Sequence, residues 1–270
     1  MPELPEVEMV VRTLRPALVG ARIAGVVLSR ADILEPAGTD LPARLLRRIV
    51  RSIDRRGKKI VFTLDDANRF YIHLGMTGRL TMETADAPTQ PHTHLAVTME
   101  GVDLRVLRFS DPRRFGGIWW LGSDLPPEGN MGPEPMLTRP AQLAKRLAKT
   151  TRAIKNALMD QTVLAGLGNI YVDESLFGAG IHPLTPANTL TTKQIGRLNR
   201  SIKLILRRAI RHRGSTLRDY RDANGAAGAF QSLHRVYGRE AEPCRTCRTP
   251  IARIVLGGRS THFCPNCQSE

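Results

Sequence analysis

Three groups of residues in this 270-residue chain have types and spacings suited to chemistry. The first is the start, Met1-Pro2-Glu3-Leu4-Pro5-Glu6. A Met followed by small Pro2 is expected to be removed, which exposes a secondary amine beside Glu3 and Glu6. An α-amine has a reference pKa of about 7.7 to 8.0 against about 10.4 for lysine, so far more of it is unprotonated at neutral pH. Such an amine can attack a sugar carbon and form an iminium, as lysines do in Schiff-base chemistry. Taken alone, a Pro-Glu start is an ordinary N-terminus.

The second group is Cys244-x2-Cys247, sixteen residues, then Cys264-x2-Cys267. Two matched knuckles fit the spacing of a four-thiolate zinc site. Four protein ligands leave no open position for water, so the expected Zn2+ is structural rather than catalytic. Arg253 and Arg259 lie between the knuckles, where a guanidinium suits phosphate. The third group is Gly168-Asn169-Ile170-Tyr171, a glycine turn running into a helical start. A helix N-terminus is a ready anion site and Asn169 adds a side-chain donor, although a plain helix cap reads the same way.

The elements that must position these groups follow from periodicity. Val7, Val10, Val11, Leu14 and Leu18 predict an amphipathic helix over 6–18, with Pro16 expected to disturb it. Short branched and aromatic runs at Arg22–Ser29, Lys59–Leu64, Arg69–Leu74, Leu95–Met99, Leu104–Phe109 and Gly117–Leu121 predict strands, hence a β-sandwich or barrel-like first domain over 1–121. The Pro- and Gly-rich stretch 122–140 reads as a linker. Beyond it, Gln142–Asp160 and Thr192–Arg213 carry helical patterns. In the second, Ile195, Leu198, Ile202, Ile205 and Ala209 line one face and Lys193, Arg197, Arg200, Arg207 and Arg211 another.

Charge narrows the partners. The chain holds 40 Lys and Arg against 25 Asp and Glu, a formal charge of +15, and between Ser175 and Arg218 there is no acid against nine cations. A stretch this long without counter-charges points to a polyanion footprint. All four cysteines fall in the last 27 residues, which argues against a chain-wide disulfide framework. No apolar run approaches the ~20 residues that span a bilayer, and the start lacks a signal-peptide layout, so the expected location is the cytoplasm.

Pro2-Glu3-Leu4-Pro5-Glu6-Val7-Glu8, Arg55-Arg56-Gly57-Lys58, His73-Leu74-Gly75-Met76-Thr77-Gly78, Asp111-Pro112-Arg113-Arg114-Phe115-Gly116, the Gly168–Tyr171 segment and the terminal cysteines together resemble bacterial formamidopyrimidine-DNA glycosylase, in that family's order and across essentially the whole chain. The resemblance implies an α+β, multidomain fold: an N-terminal β-sandwich with an N-terminal helix (1–121), a linker (122–140), a helix-two-turn-helix domain with a lesion-capping loop at 222–230 (141–239), and a four-cysteine zinc-finger β-hairpin (240–270). It implies a base-excision repair enzyme that removes 8-oxoguanine and formamidopyrimidines from damaged double-stranded DNA and then cuts the strand by β,δ-elimination. Base flipping is required because the target atom is inaccessible within the stack.

By the same resemblance Pro2 is the nucleophile, Glu3 the acid/base group, and Lys58 a strand lysine on the phosphate next to the lesion, with Lys59 ranked below it. Met76, Arg113 and Phe115 fill the void left by the flipped nucleotide. His92, Arg113, Asn169 and Arg259 bind DNA; Glu6, Gly225 and Gly228 belong to the lesion pocket. One departure stands out: the capping loop reads DANGAAGAF from Asp222 to Phe230, with Ala226, Ala227 and Ala229 where bulkier residues are common. That shifts the expected reading of the base toward backbone N–H groups. No feature suggests assembly, so a monomer is expected. The rival readings are an endonuclease VIII-like glycosylase for oxidised pyrimidines, which Pro2-Glu3-Leu4 speaks against, and a zinc-ribbon DNA-binding protein without catalysis, which has no need of Pro2, Glu3 and Lys58 together.

Overall fold

Apolar residues at helical spacing form α1, Leu4–Leu18, with Pro5 in its first turn where no intrahelical N–H is required. The helix runs unbroken past Pro16, which is exposed, because Leu14 and Leu18 on the opposite side are fully buried. The computed structural model describes residues 2–101, 105–126 and 129–269. Contacts divide the chain into two units, Met1–Gly129 with His212–Ala229, and Asn130–Arg211 with Phe230–Glu270.

The first unit is a two-sheet sandwich with α1 packed on the strand Val50–Arg56. One sheet has the order β1-β7-β8-β6, from β1 (Ile23–Leu28), β6 (Arg79–Thr84), β7 (Thr93–Met99) and β8 (Arg105–Ser110). The other runs β2-β9-β5-β4-β3, from β2 (Leu34–Glu35), β3 (Val50–Arg56), β4 (Lys59–Leu64), β5 (Arg69–His73) and β9 (Gly117–Gly122); a short helix, α2 (Leu41–Leu45), lies between β2 and β3. Val10, Leu14, Ile53, Ile60, Ile72, Leu95, Phe109 and Ile118 join α1 and both sheets in one core.

The six strands expected from composition are all present, with ends shifted by a residue or two; Leu104 lies outside the described residues. The sequence reading missed the two-residue β2 and the longer β3 and β6. β3 and β6 carry charge, and their inward faces are thin: β3 buries only Val50 and Ile53, and β6 only Leu80. Tertiary pairing, rather than alternation legible in the letters, makes them strands.

The second unit holds α3 (Pro140–Leu147), α4 (Ile154–Met159), α5 (Asn169–Ala179), α6 (Thr192–Arg211) and a hairpin of β10 (Ala252–Leu256) and β11 (Arg259–Phe263). The single helix expected over 142–160 is two helices. At the break the Thr150 hydroxyl accepts from the Arg152 backbone N–H at 3.3 Å and from its Nε at 3.0 Å, a local alternative to the helical ladder. The α6 pattern ends at Arg211, since Arg213 and Gly214 take φ values of +62° and +78°.

The segment 212–229, assigned by sequence to the helical domain, packs with the sandwich. Ala223 is fully buried in the sandwich core; its N–H donates to Thr13 Oγ1 on α1 and its carbonyl accepts from Met82 on β6. Among the described residues no helix is long and apolar enough to cross a membrane.

Candidate functional site

Three adjacent strands bring Lys58, Met76, Arg113 and Phe115 to one edge of the sandwich. Lys59 pairs with His73 and His73 with Gly117, so β4, β5 and β9 finish level. The segments running off that edge are the 57–58 turn, the 74–78 loop and the 111–116 loop. Lys58 sits in the turn, not in a strand as expected. The hairpin leaves only Gly57 and Lys58 between the paired Arg56 and Lys59, and Gly57 has φ +58°, as a two-residue turn with glycine first requires. Lys59 is in β4 with its ammonium 4.1 Å from the centre of the Tyr71 ring. That separates the two lysines: Lys59 packs on the sheet and Lys58 tips the turn.

The turn is tied to α1. Arg55 donates from Nε to Glu8 Oε2 at 2.9 Å and from Nη1 to the Gly57 carbonyl at 3.0 Å. Glu8 also accepts from Arg12 at 2.7 Å; burial pushes its carboxyl up, but the two arginines hold it below the ordinary range. One ion pair thus links the turn that carries Lys58 to the helix whose start carries Pro2 and Glu3. Sequence analysis passed over Glu8 and Arg55 in this role because 47 residues separate them.

Pro2, Glu3 and Glu6 are all buried. Glu6 orders the N-terminus: its Oε2 accepts from the Glu3 N–H at 2.8 Å and its Oε1 from the Ser215 N–H at 2.7 Å. Tyr220 donates its hydroxyl to the Glu6 carbonyl oxygen at 3.2 Å. Expected beside a lesion, Glu6 is therefore a carboxylate that ties the start of α1 to the 212–229 segment.

The void-filling candidates are arranged by a residue given no role at the outset. Asp111 is fully buried; one oxygen accepts from Thr77 Oγ1 at 2.6 Å and the other from the Gly116 N–H at 2.8 Å, so a single carboxylate ties the Met76 loop to the Arg113–Phe115 loop. The loops touch backbone to backbone. A Cβ on Gly75, whose φ is +58°, would lie 2.3 Å from the Gly116 nitrogen. Above this junction Met76 is half-buried, while Arg113 and the 55% exposed Phe115 project outward, the guanidinium 4.4 Å from the ring centre. An exposed apolar ring is the kind of side chain that wedges between base steps. His92 is exposed at φ +63°, and its carbonyl accepts from the Asp111 N–H. Burial, with the Lys58 and Lys59 charges, lowers the His73 pKa to about 4, so its imidazole is neutral and its Nδ1 accepts from the Gly75 N–H at 3.2 Å.

The capping loop differs from expectation. Backbone N–H groups of Asn224 and Ala226 donate to the buried Asp222 carboxylate, that of Gly225 to the Asp222 carbonyl, that of Gly228 to Thr216 Oγ1, and that of Ala229 to the His212 carbonyl. Five of the donors expected to read a base are thus engaged within the loop and the segment leading into it. Gly225 is exposed at φ +80°, whereas Gly228 is buried where a Cβ would meet the Gly214 carbonyl oxygen at 2.3 Å.

The remaining candidates belong to the second unit. Asn169 opens α5, and its Nδ2 donates to the Ser260 carbonyl at 2.9 Å. The same carbonyl accepts from Lys155 Nζ at 2.8 Å; Lys155 pairs with Asp173 Oδ1 at 2.7 Å, and Asp173 Oδ2 accepts from the His262 N–H at 2.9 Å. The fully buried Lys155–Asp173 pair therefore joins α4 and α5 to β11 beside Arg259. Arg259 is exposed at the end of a turn in which Gly257 and Gly258 have φ +57° and +72°, the pattern of a type I′ hairpin. Arg253 is paired with Glu240 at 3.6 Å.

The thiols of Cys244, Cys247, Cys264 and Cys267 all lie within 4.8 Å of one another, with Sγ–Sγ distances of 4.0 Å for Cys244–Cys267 and 3.4 Å for Cys247–Cys264. Tetrahedral sulfurs about 2.3 Å from zinc stand about 3.8 Å apart, so the cluster fits one structural zinc ion.

A sandwich with Pro2 buried at the start of its first helix, a helical unit and a four-cysteine finger define a multidomain zinc-finger class, and comparison with known proteins narrows it. Residues 1–118 match the formamidopyrimidine-DNA glycosylase N-terminal domain, 131–221 the formamidopyrimidine-DNA glycosylase H2TH domain, and 241–269 the zinc finger found in FPG and IleRS. The chain belongs to the formamidopyrimidine-DNA glycosylase family. It is 44% identical to the formamidopyrimidine-DNA glycosylase of Geobacillus kaustophilus over 99% of this chain and 100% of that one. A Lactococcus lactis FPG mutant in complex with a Fapy-dG containing DNA aligns over 100% of both chains with TM-score 0.91 and 38% identity. A MutM structure in complex with carbocyclic 8-oxo-G containing DNA aligns over 100% of both chains with TM-score 0.90 and 38% identity.

Proposed function

We propose that the chain is a base-excision repair glycosylase and lyase for oxidised purines in duplex DNA, with Pro2, freed of Met1, as its nucleophile. Met1 itself lies outside the described residues. The observation that carries the reading is the start of α1, where Glu6 holds the Glu3 backbone and Glu8–Arg55 links the helix to the Lys58 turn. Relatives solved with Fapy-dG and 8-oxo-G DNA support the substrate class.

In this reading Lys58 and His92 take phosphates, and Met76, Arg113 and Phe115 enter the gap as the damaged base leaves the stack. The Pro2 nitrogen bonds to C1′ and the bond from C1′ to the base breaks, its electron pair leaving with the base, which takes up a proton. Glu3 delivers a proton to the sugar ring oxygen as the ring opens, giving an iminium between Pro2 and C1′. Loss of a C2′ proton then expels the 3′ phosphate, and a second elimination the 5′ phosphate. Asn169 and Arg259 hold backbone phosphates, contacts that position without reading sequence. The pocket around Glu6, Gly225 and Gly228 receives the base, and the functional domains are 1–121, 141–239 and 240–270, with segment 212–229 of the second packed into the first. The chain works as a monomer, in the cytoplasm with the nucleoid.

Borohydride trapping on a duplex with one 8-oxoguanine opposite cytosine, followed by peptide mass spectrometry, tests this reading. An adduct on Pro2, lost in Pro2→Gly with duplex binding retained, is the expected result. Normal turnover by Pro2→Gly or Glu3→Gln would overturn the site assignment. Duplex binding with no strand cutting by the unaltered chain would favour the non-catalytic zinc-ribbon alternative, and excision of oxidised pyrimidines alone the endonuclease VIII-like one.

A further inference from the structure

We propose that the concave surface at the C-terminal end of α3 is a second phosphate site, which takes backbone phosphates of duplex DNA beyond those held by Arg259. The inference rests on the DNA-binding reading above and extends its footprint. A cavity of about 540 Å3 opens there, lined by Lys145, Arg146, Lys149 and Arg152 with Gln142 and Thr162 among the rest. Among the described residues no carboxylate lines it.

The simplest alternative is that cations gather at a helix C-terminus because its dipole favours them. That accounts for Lys145 and Arg146 in the last turn of α3. It does not account for Lys149 and Arg152, which lie beyond the helix and face the same cavity. Arg152 has Asp160 as its counter-charge, but Lys145, Arg146 and Lys149 remain three like charges around one concavity, which repel one another unless an anion joins them. The two guanidinium groups are also held in place: Arg146 Nη1 donates to the Thr162 carbonyl at 2.8 Å, and Arg152 Nη2 to Asp160 Oδ2 at 2.9 Å. Lys145 and Lys149 are exposed, and their ammonium groups make no ion pair or hydrogen bond among the described residues. Fixed guanidinium forks beside two flexible ammonium groups suit phosphate oxygens.

A second observation gives the site its direction. An adjoining cavity of about 380 Å3 is lined by Arg152, Asn156, Asp160, Gly257 and Arg259. Arg152 therefore forms part of both walls, and a basic path runs within one unit from the β10–β11 turn past Arg152 to Lys145 and Lys149. A duplex carries one negative charge per about 1.7 Å of axis, so DNA continuing past Arg259 along this path has phosphates to offer. Diester phosphate of extended duplex is the ligand that this layout fits.

The test uses a Lys145→Gln/Lys149→Gln double variant, which removes two exposed charges and leaves the buried Leu143 and Leu147 untouched. Affinity is measured against salt on two duplexes carrying an uncleavable abasic analogue, one spanning only the lesion and one extended by a helical turn of about 10 bp on each side. The variant is expected to match the unaltered chain on the short duplex, in affinity and in single-turnover excision. On the long duplex its log affinity against log salt should be shallower by about 2, from a slope of about −0.9 per phosphate contact. Equal slopes on the long duplex would overturn the proposal. So would saturable binding of pyrophosphate by the unaltered chain, abolished in the variant, with no effect of duplex length; that result would assign the cavity to a small free polyphosphate. Failure of the unaltered chain to bind even the short duplex would sink the DNA reading, and this inference with it.

Discussion

Replacing Asp173 by Asn keeps the shape of the side chain and removes its charge. Asp173 and Lys155 are both fully buried and 2.7 Å apart, and the lysine also donates to the Ser260 carbonyl. Without the anion an ammonium group is left in the interior with no countercharge from Asp173, and breaking a buried pair in this way costs about 3 to 5 kcal/mol. For a unit of this size about 1 kcal/mol moves the melting temperature by roughly 4 °C, so Asp173→Asn should melt roughly 12 to 20 °C lower. Differential scanning calorimetry with zinc in excess reads the shift while keeping the finger loaded. A Lys155→Met/Asp173→Leu double variant separates charge from packing. Replacing both partners with apolar groups is often neutral or stabilising, so the double variant should recover most of the lost stability. It should still bind abasic duplex more weakly than the unaltered chain, because the Ser260 carbonyl, shared with Asn169, has lost its lysine. An Asp173→Asn protein within about 1 kcal/mol of the unaltered chain, or a double variant no better than the single, would refute the account of a stranded charge.

Gly75→Ala should cut excision by on the order of 100-fold with the fold retained, read by single-turnover kinetics beside circular dichroism, since its Cβ would force apart the loops carrying Met76 and Phe115. Metal analysis should find one zinc per chain, and Cys247→Ser should lose both the metal and DNA binding while near-UV spectra show the sandwich still folded. His73 and His234 have pKa values lowered to about 4, chiefly by burial, against 6.5 when unfolded. The unfolded chain binds more protons between those values, so the two groups' contribution to stability is complete above about pH 6.5 and falls as the pH drops toward 4. Denaturant titrations across that window should show a shallower fall for His73→Gln than for the unaltered chain.

Much of the fold is legible because it rests on short-range pattern. The 3.6-residue spacing from Val7 to Leu18, the branched runs of β4, β5 and β9 and the paired knuckles each carry their own signal. What failed to read has causes outside the hydrophobic pattern. β3 and β6 present one or two apolar residues inward and become strands only beside their neighbours. The break between α3 and α4 comes from a Thr150 hydroxyl that competes with the helical ladder, and Lys58 leaves the strand because Gly57 starts a two-residue turn.

The site divides in the same way. Residue types and spacing by themselves determined that the chain carries Pro2 beside the Glu3 carboxyl, a four-thiolate metal site and an excess of cations, since these depend on chemistry and local order in the chain. Tertiary structure alone decided that Glu6 reaches the Ser215 N–H, that one Asp111 carboxylate joins the Met76 loop to the Arg113–Phe115 loop, and that Asp173 pairs with Lys155. Most of these are buried polar groups whose partners lie far away in sequence. A buried carboxylate must find donors wherever the fold brings them, and no local pattern says which donors those will be.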